Sequence, residues 1–416
     1  MFLVGIDDTD SQSGMCTTYL GALLAERLSS FCHVEKMRLL RLNPNIKWKT
    51  RGNASICLWL KTSKPNRVRK VVLDTVEENA VFKDPRTNPG VVFYSGAPPT
   101  EFTDFYWRSL REIIEISEAH ALAEEHGAEV HGYKNRRGVI GALAAVGSEL
   151  PDKTYELIAY RVRQNWGKKR RVNRDSVLRM NEYTYPLTFN NVDPASERVL
   201  ITPSSPCPVL LGIRGENEEV LRRAYNMLVI DEPVMGSVIY ETNQGTDAHI
   251  RSVKNVDDVS AGSSVALRGV VSAEPRVIKG GHVVFSVSDG TRSIDCAAYE
   301  PTRDFRRVVA SLMPGDEVVV YGGVRMNTRA TINLEKIKIL RLREVYEERN
   351  PLCGVCGRRM ESAGKNQGLR CRRCGTRAEA KERVLRNRAI SEKFYQVPPG
   401  AMRHLSMPLV RTGFIT

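Results

Sequence analysis

The chain has 416 residues, 42% hydrophobic and 26% charged, which gives room for several packed domains and argues against wholesale disorder. A formal charge of +14 points to a polyanionic partner. No apolar run is long enough to span a membrane and no secretory signal is read, so a cytoplasmic protein without a membrane partner is expected.

In chain order, the first pattern is Phe2 to Ile6, a short apolar run that reads as a buried strand. Asp7, Asp8 and Asp10 follow it directly, then a small polar loop and a helix beginning near Thr17, with Leu20, Leu23, Leu24, Leu28 and Phe31 on one face. Strand, acidic loop and helix start form a plausible seat for Mg²⁺ and a nucleoside triphosphate. Hard carboxylate oxygens suit the ion, and free helix N–H groups favour phosphate. The plain alternative is a turn capped by Asp and Thr, but three close carboxylates repel one another unless a cation is present. A D-x-D-x-T nucleophile loop starting at Asp8 fails, because position 12 is Gln12.

Strands are expected over Val34–Leu42, Ala54–Leu60 and Thr154–Tyr160, and helices over Asn66–Glu78, Phe105–Ser117, Val139–Ala145 and Asp175–Asn181, giving one α/β unit over 1–192. Tyr94 to Pro99 reads as a Gly/Pro-rich loop. His131 to Gly138 is basic and runs into a helix of small residues, which fits a phosphate cradle or, equally, a solvated turn before a close-packed helix. Arg161 to Arg174 carries seven basic residues and no acid, read as a nucleic-acid contact in preference to a solvated face.

A β-α-β pattern over Val209–Ile213, Glu216–Leu228 and Ser237–Glu241 fits a small ferredoxin-like domain at 193–255. It ends in the polar loop Thr242 to His249. Five β-branched runs between Val265 and Ile339, with a helix at Thr302–Leu312 after the third, fit an OB-fold barrel at 256–345.

Cys353-x2-Cys356 and Cys371-x2-Cys374 then form a four-thiolate zinc site in a ribbon at 346–380. Four thiolates leave no open position, so the ion is structural. A basic helix from Ala378 to Lys393 and a tail with little periodicity are expected to close the chain, making 381–416 the last segment. From Arg341 onward there are 17 Lys/Arg against 7 Asp/Glu, which marks this end as the polyanion-facing one.

Taken together, Gly5 to Asp10 with Thr17-Thr18, Lys49 to Asn53, Gly138 to Gly147 and Glu241 to Asp247 resemble the archaeal tRNA(isoleucine) 2-agmatinylcytidine synthetase family along almost the whole chain. The resemblance implies a multidomain α+β enzyme with a kinase-like N-terminal domain. Such an enzyme uses ATP to join agmatine to C2 of the wobble cytidine, through phosphorylation of the C2 oxygen, releasing AMP and phosphate. It implies Asp7, Asp8 and Asp10 around Mg²⁺, with autophosphorylation at Thr18. Lys49, Arg51, Gly52, Asn53, Lys134, Asn135, Arg136, Arg137, Gly138 and Gly141 are expected at the ATP phosphates. Thr242, Asn243, Gln244, Gly245 and Asp247 are expected near agmatine, and the barrel and ribbon on the tRNA. The competing reading is a non-catalytic RNA-binding protein built on the barrel and ribbon; a third is a related enzyme that uses another amine such as lysine.

Overall fold

The computed structural model describes residues 1–326 and 328–413. Its first half comprises β1 (Phe2–Asp7), α1 (Thr17–Leu28), β2 (His33–Arg41), β3 (Ala54–Lys61), α2 (Pro65–Asn79), β4 (Gly90–Ser95), α3 (Thr100–Arg111), α4 (Ile116–Glu125), β5 (Glu129–Gly132) and α5 (Gly138–Val146). Strand alternation sets the layers. Phe2, Val4 and Ile6 pack with Leu20 and Leu24 of α1 and Val68 and Val72 of α2. Leu3 belongs to the opposite core, with Phe102, Val139, Ala142 and Leu143. A Cβ on Gly5 would collide with the carbonyl of Ala142, so glycine lets α5 lie directly on β1. The single helix expected over Phe105–Ser117 is two: α3 stops at Arg111, Glu112 is extended, and α4 starts at Ile116. The first residues of the expected Tyr94–Pro99 loop, Tyr94 and Ser95, finish β4.

The second half adds β6 (Thr154–Arg161), α6 (Arg174–Thr184), β7 (Thr188–Phe189), a small hairpin of β8 (Val192–Asp193) and β9 (Arg198–Val199), then β10 (Val209–Gly215), α7 (Glu218–Asn226) and β11 (Val234–Thr242). All but the hairpin join one nine-stranded sheet, in the order β5-β4-β1-β3-β2-β11-β6-β10-β7. Its one parallel seam is short: Arg38 opposite Glu241 and Leu39 opposite Thr242. Side chains reinforce it. Arg38 pairs with Glu241 at 3.3 Å, and Asn243 both accepts from the Arg41 N–H (2.8 Å) and donates to the Arg41 carbonyl (2.9 Å).

Two expectations change here. Strand Thr154–Tyr160 was expected in the first unit but lies between β11 and β10. Its Leu157 and Ala159 share a core with Val177 and Met180 of α6 and Leu221 and Ala224 of α7, so the second unit draws on residues well before 193. The basic run Arg161–Arg174 is only partly a surface. Arg161 is 1% exposed and donates to Glu232 at 2.7 and 3.1 Å, and Arg170 donates to the carbonyls of Ser205, Cys207 and Val209. Lys168 and Lys169 stay exposed.

The barrel is β13 (Ser264–Ile278), β14 (His282–Ser288), β15 (Ser293–Ala298), β16 (Glu317–Met326) and β17 (Ala330–Arg341). It is preceded by β12 (Ile250–Val253), with α8 (Asp304–Ala310) after the third barrel strand. Pairing of β13 with β16 closes it. Beyond it lie β18 (Tyr346–Arg349), β19 (Glu361–Ser362), β20 (Leu369–Arg370), β21 (Arg377–Ala378) and β22 (Glu382–Leu385) of the ribbon. The basic helix expected over Ala378–Lys393 is not formed. Glu382–Leu385 pairs antiparallel with β18, and Arg388 turns back to Asp316 at 2.8 Å. The segment has no apolar stripe at helical spacing to bury, so strand pairing is its better option.

The tail is the larger surprise. After β23 (Phe394–Gln396) adds to β17, the chain crosses from the barrel to the sheet. Arg403 donates to Asn45 (2.8 Å), Met407 N–H to Asp247 (2.7 Å), and the buried Arg411 to Glu216 (2.6 Å), Asp152 (3.0 Å) and the Gly245 carbonyl. Residues 414–416 lie outside the described residues.

Candidate active site

Asp7 ends β1, and its neighbour Asp8 adopts φ 55°, a turn that aims both side chains beyond the strand edge. Asp7 Oδ1 accepts from the Asp8 N–H at 2.6 Å, and Asp8 Oδ2 from the Asn88 N–H at 3.1 Å. A Cβ on Gly141 would collide with Asp7 Oδ2, so this glycine of α5 makes the space that Asp7 occupies. Burial, then the charge of Asp8, hold the Asp7 carboxyl well above the usual carboxylate range. Burial first, with Asp10 adding to it, pushes Asp8 up to about 7.

These residues floor an open cleft of about 660 Å³. Its lining includes the cationic Lys49, Arg51 and Arg137 and the apolar Leu42, Ile46, Ile114 and Ile140. Trp48 stands at the edge, 52% exposed, with the Arg137 guanidinium 4.2 Å from its ring centre. Cationic and apolar side chains lining one cleft suit a nucleoside triphosphate. Mg²⁺ fits the donor set of Asp7 and Asp8, whose oxygens are hard and whose ionised forms burial disfavours until a cation arrives.

Asp10 is placed differently. Oδ1 accepts from the Thr17 N–H (2.6 Å) and hydroxyl (3.0 Å), capping α1, while Oδ2 faces Arg51 at 3.3 Å. It forms the partition between the cleft and a second, larger chamber of about 970 Å³. Thr18 opens onto that chamber, its hydroxyl 3.2 Å from Cys16 Sγ. The Thr18 carbonyl accepts from the buried hydroxyls of Tyr160 (2.9 Å) and Tyr240 (2.7 Å), which fixes the first turn of α1 against the second half of the sheet.

Of the other expected site residues, the structure brings Lys49, Arg51, Asn53, Arg137 and Gly141 to the cleft, and Gly52 to the chamber. Lys134 instead donates to the carbonyls of Asp84 (2.6 Å) and Thr87 (2.8 Å), and Asn135 accepts from the Arg137 N–H. Arg136 packs beside Gly132, and Gly138 lies against Gly90 where no Cβ fits. These four shape the turn and do not line the cleft. Thr242, Asn243 and Gln244 are fully buried braces: Gln244 donates to Glu156 and accepts from Arg41, and Thr242 Oγ accepts from the Gln244 N–H. Asp247 is taken by Lys336 and the Met407 N–H, and Gly245 by the tail. None of the five lines either cavity.

Sequence reading missed Trp48, Arg41, Glu156, Arg214 and His404. Trp48, next to Lys49 in a loop after a strand, was open to suspicion. The others come from four separate elements and carry no shared spacing.

Far along the chain, the thiolates of Cys353, Cys356, Cys371 and Cys374 lie within 4.8 Å of one another, the one such ligand cluster among the described residues. The N–H groups of Val355 and Cys356 push the Cys353 thiol down to about 6. The four fit Zn²⁺.

Family profiles described as the TiaS TCKD domain match residues 3–70 and 61–135, and the TiaS FLD domain matches 136–249. An OB-fold nucleic acid binding domain matches 265–340, and the TiaS C-terminal zinc ribbon domain 350–390. The chain is 45% identical over 420 residues to the tRNA(isoleucine) 2-agmatinylcytidine synthetase TiaS of Methanosarcina mazei, covering 98% of this chain and 97% of that one. It is 44% identical over 412 residues to the enzyme of the same name from Archaeoglobus fulgidus, with the same coverage. Among solved structures, apo TiaS superposes with a TM-score of 0.91 at 43% identity. A TiaS complex with its tRNA, AMPCPP and agmatine gives 0.85 at 40%, each covering 99% of this chain and 97% of that one. The chain belongs to the tRNA(isoleucine) 2-agmatinylcytidine synthetase family.

Proposed function

We propose that the protein joins agmatine to C2 of the wobble cytidine of an isoleucine tRNA, with ATP consumed to AMP and phosphate. The observation that carries this reading is the full-length match to enzymes of that name. The cleft agrees with it: two burial-strained carboxyls face three cationic side chains. An amine cannot expel an oxide from cytosine, whereas a phosphorylated oxygen leaves readily, so ATP is needed to activate the C2 oxygen. Lys49, Arg51 and Arg137 neutralise triphosphate charge and hold it in line. Mg²⁺, held by Asp7 and Asp8, supplies further charge neutralisation when bound. In this reading the first half is a kinase-like domain, and Thr18 is autophosphorylated.

The barrel and the zinc ribbon hold the tRNA, whose loop cytidine leaves the anticodon stack to reach the chamber. Residues 242–247 serve the agmatine site from behind, through the grip of Gln244 on Glu156. The protein works in the cytoplasm, where its tRNA is; among the described residues no helix is long and apolar enough to cross a membrane. A plain RNA-binding protein gains nothing from burying Asp7 and Asp8 under a basic wall, so that alternative is not favoured.

The test is incubation with labelled agmatine, ATP and an isoleucine tRNA transcript with a CAU anticodon. Label should enter the tRNA only with ATP, AMP should accumulate, and labelled lysine should not be incorporated. Tight tRNA binding without ATP consumption or label would sink the reading.

A further inference from the structure

The chamber behind Asp10 carries more positive charge than its own acids balance. Arg41 from β2, Arg214 from β10 and Arg51 from the 44–53 loop all line it. Against these three guanidinium groups stand two carboxylates, and both are shared. Glu156 lies 3.4 Å from Arg214 and 4.0 Å from Arg41 and also accepts from Gln244, while Asp10 spends one oxygen on Thr17. Two buried nitrogens of its lining residues, Arg51 Nη1 and His404 Nδ1, have no hydrogen-bond partner among the described residues. A Cβ on Gly52 would collide with Arg41 Nη1 and lie 3.5 Å from His404 Nε2, so glycine lets both side chains crowd against this loop. The start of α1 also borders this space at Thr17 and Thr18, with the Thr17 N–H already taken by Asp10.

We infer that the chamber lined by Arg41, Arg51, Arg214 and His404 is a phosphoryl-binding site, taking inorganic phosphate or a phosphate monoester. Within the reaction proposed above, it is the seat of the phosphate displaced from cytidine C2, separate from the cleft that holds ATP. His404 makes the site responsive to its ligand. Arg41 alongside, burial, then Arg214 and Lys49 hold its imidazole well below the usual histidine range, and Glu156 and Asp10 across the chamber are already paired. A phosphate dianion entering beside His404 reverses the local field, so binding draws a proton onto the ring.

The test uses the full-length protein without tRNA or agmatine. Sodium phosphate is titrated calorimetrically at pH 8, where the free ion is already almost entirely the dianion and binding it releases little proton of its own, at constant ionic strength and in two buffers of different ionisation heat. Saturable one-to-one binding with net proton uptake is expected. Arg214→Met should weaken it about tenfold, and His404→Gln should abolish the buffer dependence. Affinity for a non-hydrolysable ATP analogue, unchanged in both variants, shows that they are folded. No saturable binding, binding indifferent to Arg214→Met, or phosphate that simply competes with the ATP analogue would overturn the assignment. A CAU anticodon stem-loop distinguishes the sources. Expulsion of phosphate by the RNA assigns the site to a phosphoryl group carried on the nucleotide; binding of both together assigns it to free phosphate. Agmatine transfer without phosphate binding refutes only the chamber; phosphate binding without transfer refutes only the reaction.

Discussion

The nine-stranded sheet and the zinc ribbon handle positive charge in opposite ways. In the sheet half, two arginines go inward and are consumed: Arg161 by Glu232 with both side chains 1% exposed, and Arg411 by Asp152 and Glu216. In the ribbon, Arg358, Arg373 and Arg377 stay in the solvent over a core of little more than Cys353, Met360, Leu369 and Cys371. A formal charge of +14 counts both kinds alike. Only the second kind is free to meet a phosphate backbone, so the polyanion surface is smaller than the composition implies, and in the ribbon it rests on a metal and not on an apolar core.

The sharpest way to break this contrast is to remove the metal. Cys371→Ser, or a strong chelator, should unfold the ribbon, since structural zinc supplies on the order of 10 kcal/mol in comparable small domains. Limited proteolysis should then cut within 350–385 while ATP-analogue binding in the sheet half survives. Equal loss of both would mean that the two regions are not independently stabilised.

Next in size is Arg161→Met. It strands Glu232 in the interior and should cost about 3–5 kcal/mol in denaturant unfolding, with no change in the salt dependence of tRNA binding. A change in salt slope without loss of stability would restore the surface reading of that basic run.

The cleft offers a pH test. Asp8 has a folded-state pKa raised from 3.8 to about 7, so the folded protein holds a proton that the unfolded chain has lost across that window. Stability of the metal-free protein should therefore fall as pH rises from about 4 to 7, by at most on the order of 4 kcal/mol. Asp8→Asn should make the profile shallower, seen as a smaller drop in melting temperature with the contribution of Asp7 remaining, and should end ATP turnover. A wild-type melting temperature that rises over the same range would refute the buried-carboxyl account.

The smallest effect is expected from Arg358→Ala with Arg373→Ala. Stability should change by less than about 0.5 kcal/mol. The slope of log affinity for tRNA against log salt should fall by about one to two.

Much of this molecule was legible in its residues. Strand alternation at Phe2–Ile6, the small residues of α5 and the Cys-x2-Cys pairs each encode a local geometry, and each reappears where expected. What stayed hidden depends on partners distant in the chain. Lys134 looks like any phosphate-binding lysine until the carbonyls of Asp84 and Thr87 claim it. The polar run Thr242–Asp247 has the composition of a binding loop, yet the tail and Arg41 use up its hydrogen bonds. Arg214 and His404 reach one chamber from positions 190 residues apart, and no local pattern records that.

The clamp formed by the tail also has a consequence for biosynthesis. Every strand of the large sheet has been made once Thr242 is translated, but the grip of Arg411 on Asp152 and Glu216 must wait for some 170 further residues. A nascent chain thus carries a finished acidic cleft long before His404 reaches the chamber behind it. Ribosome-stalled chains halted at about residue 400 should accordingly bind nucleotide yet leave any tRNA unmodified, because His404 and Arg411 have not yet been made.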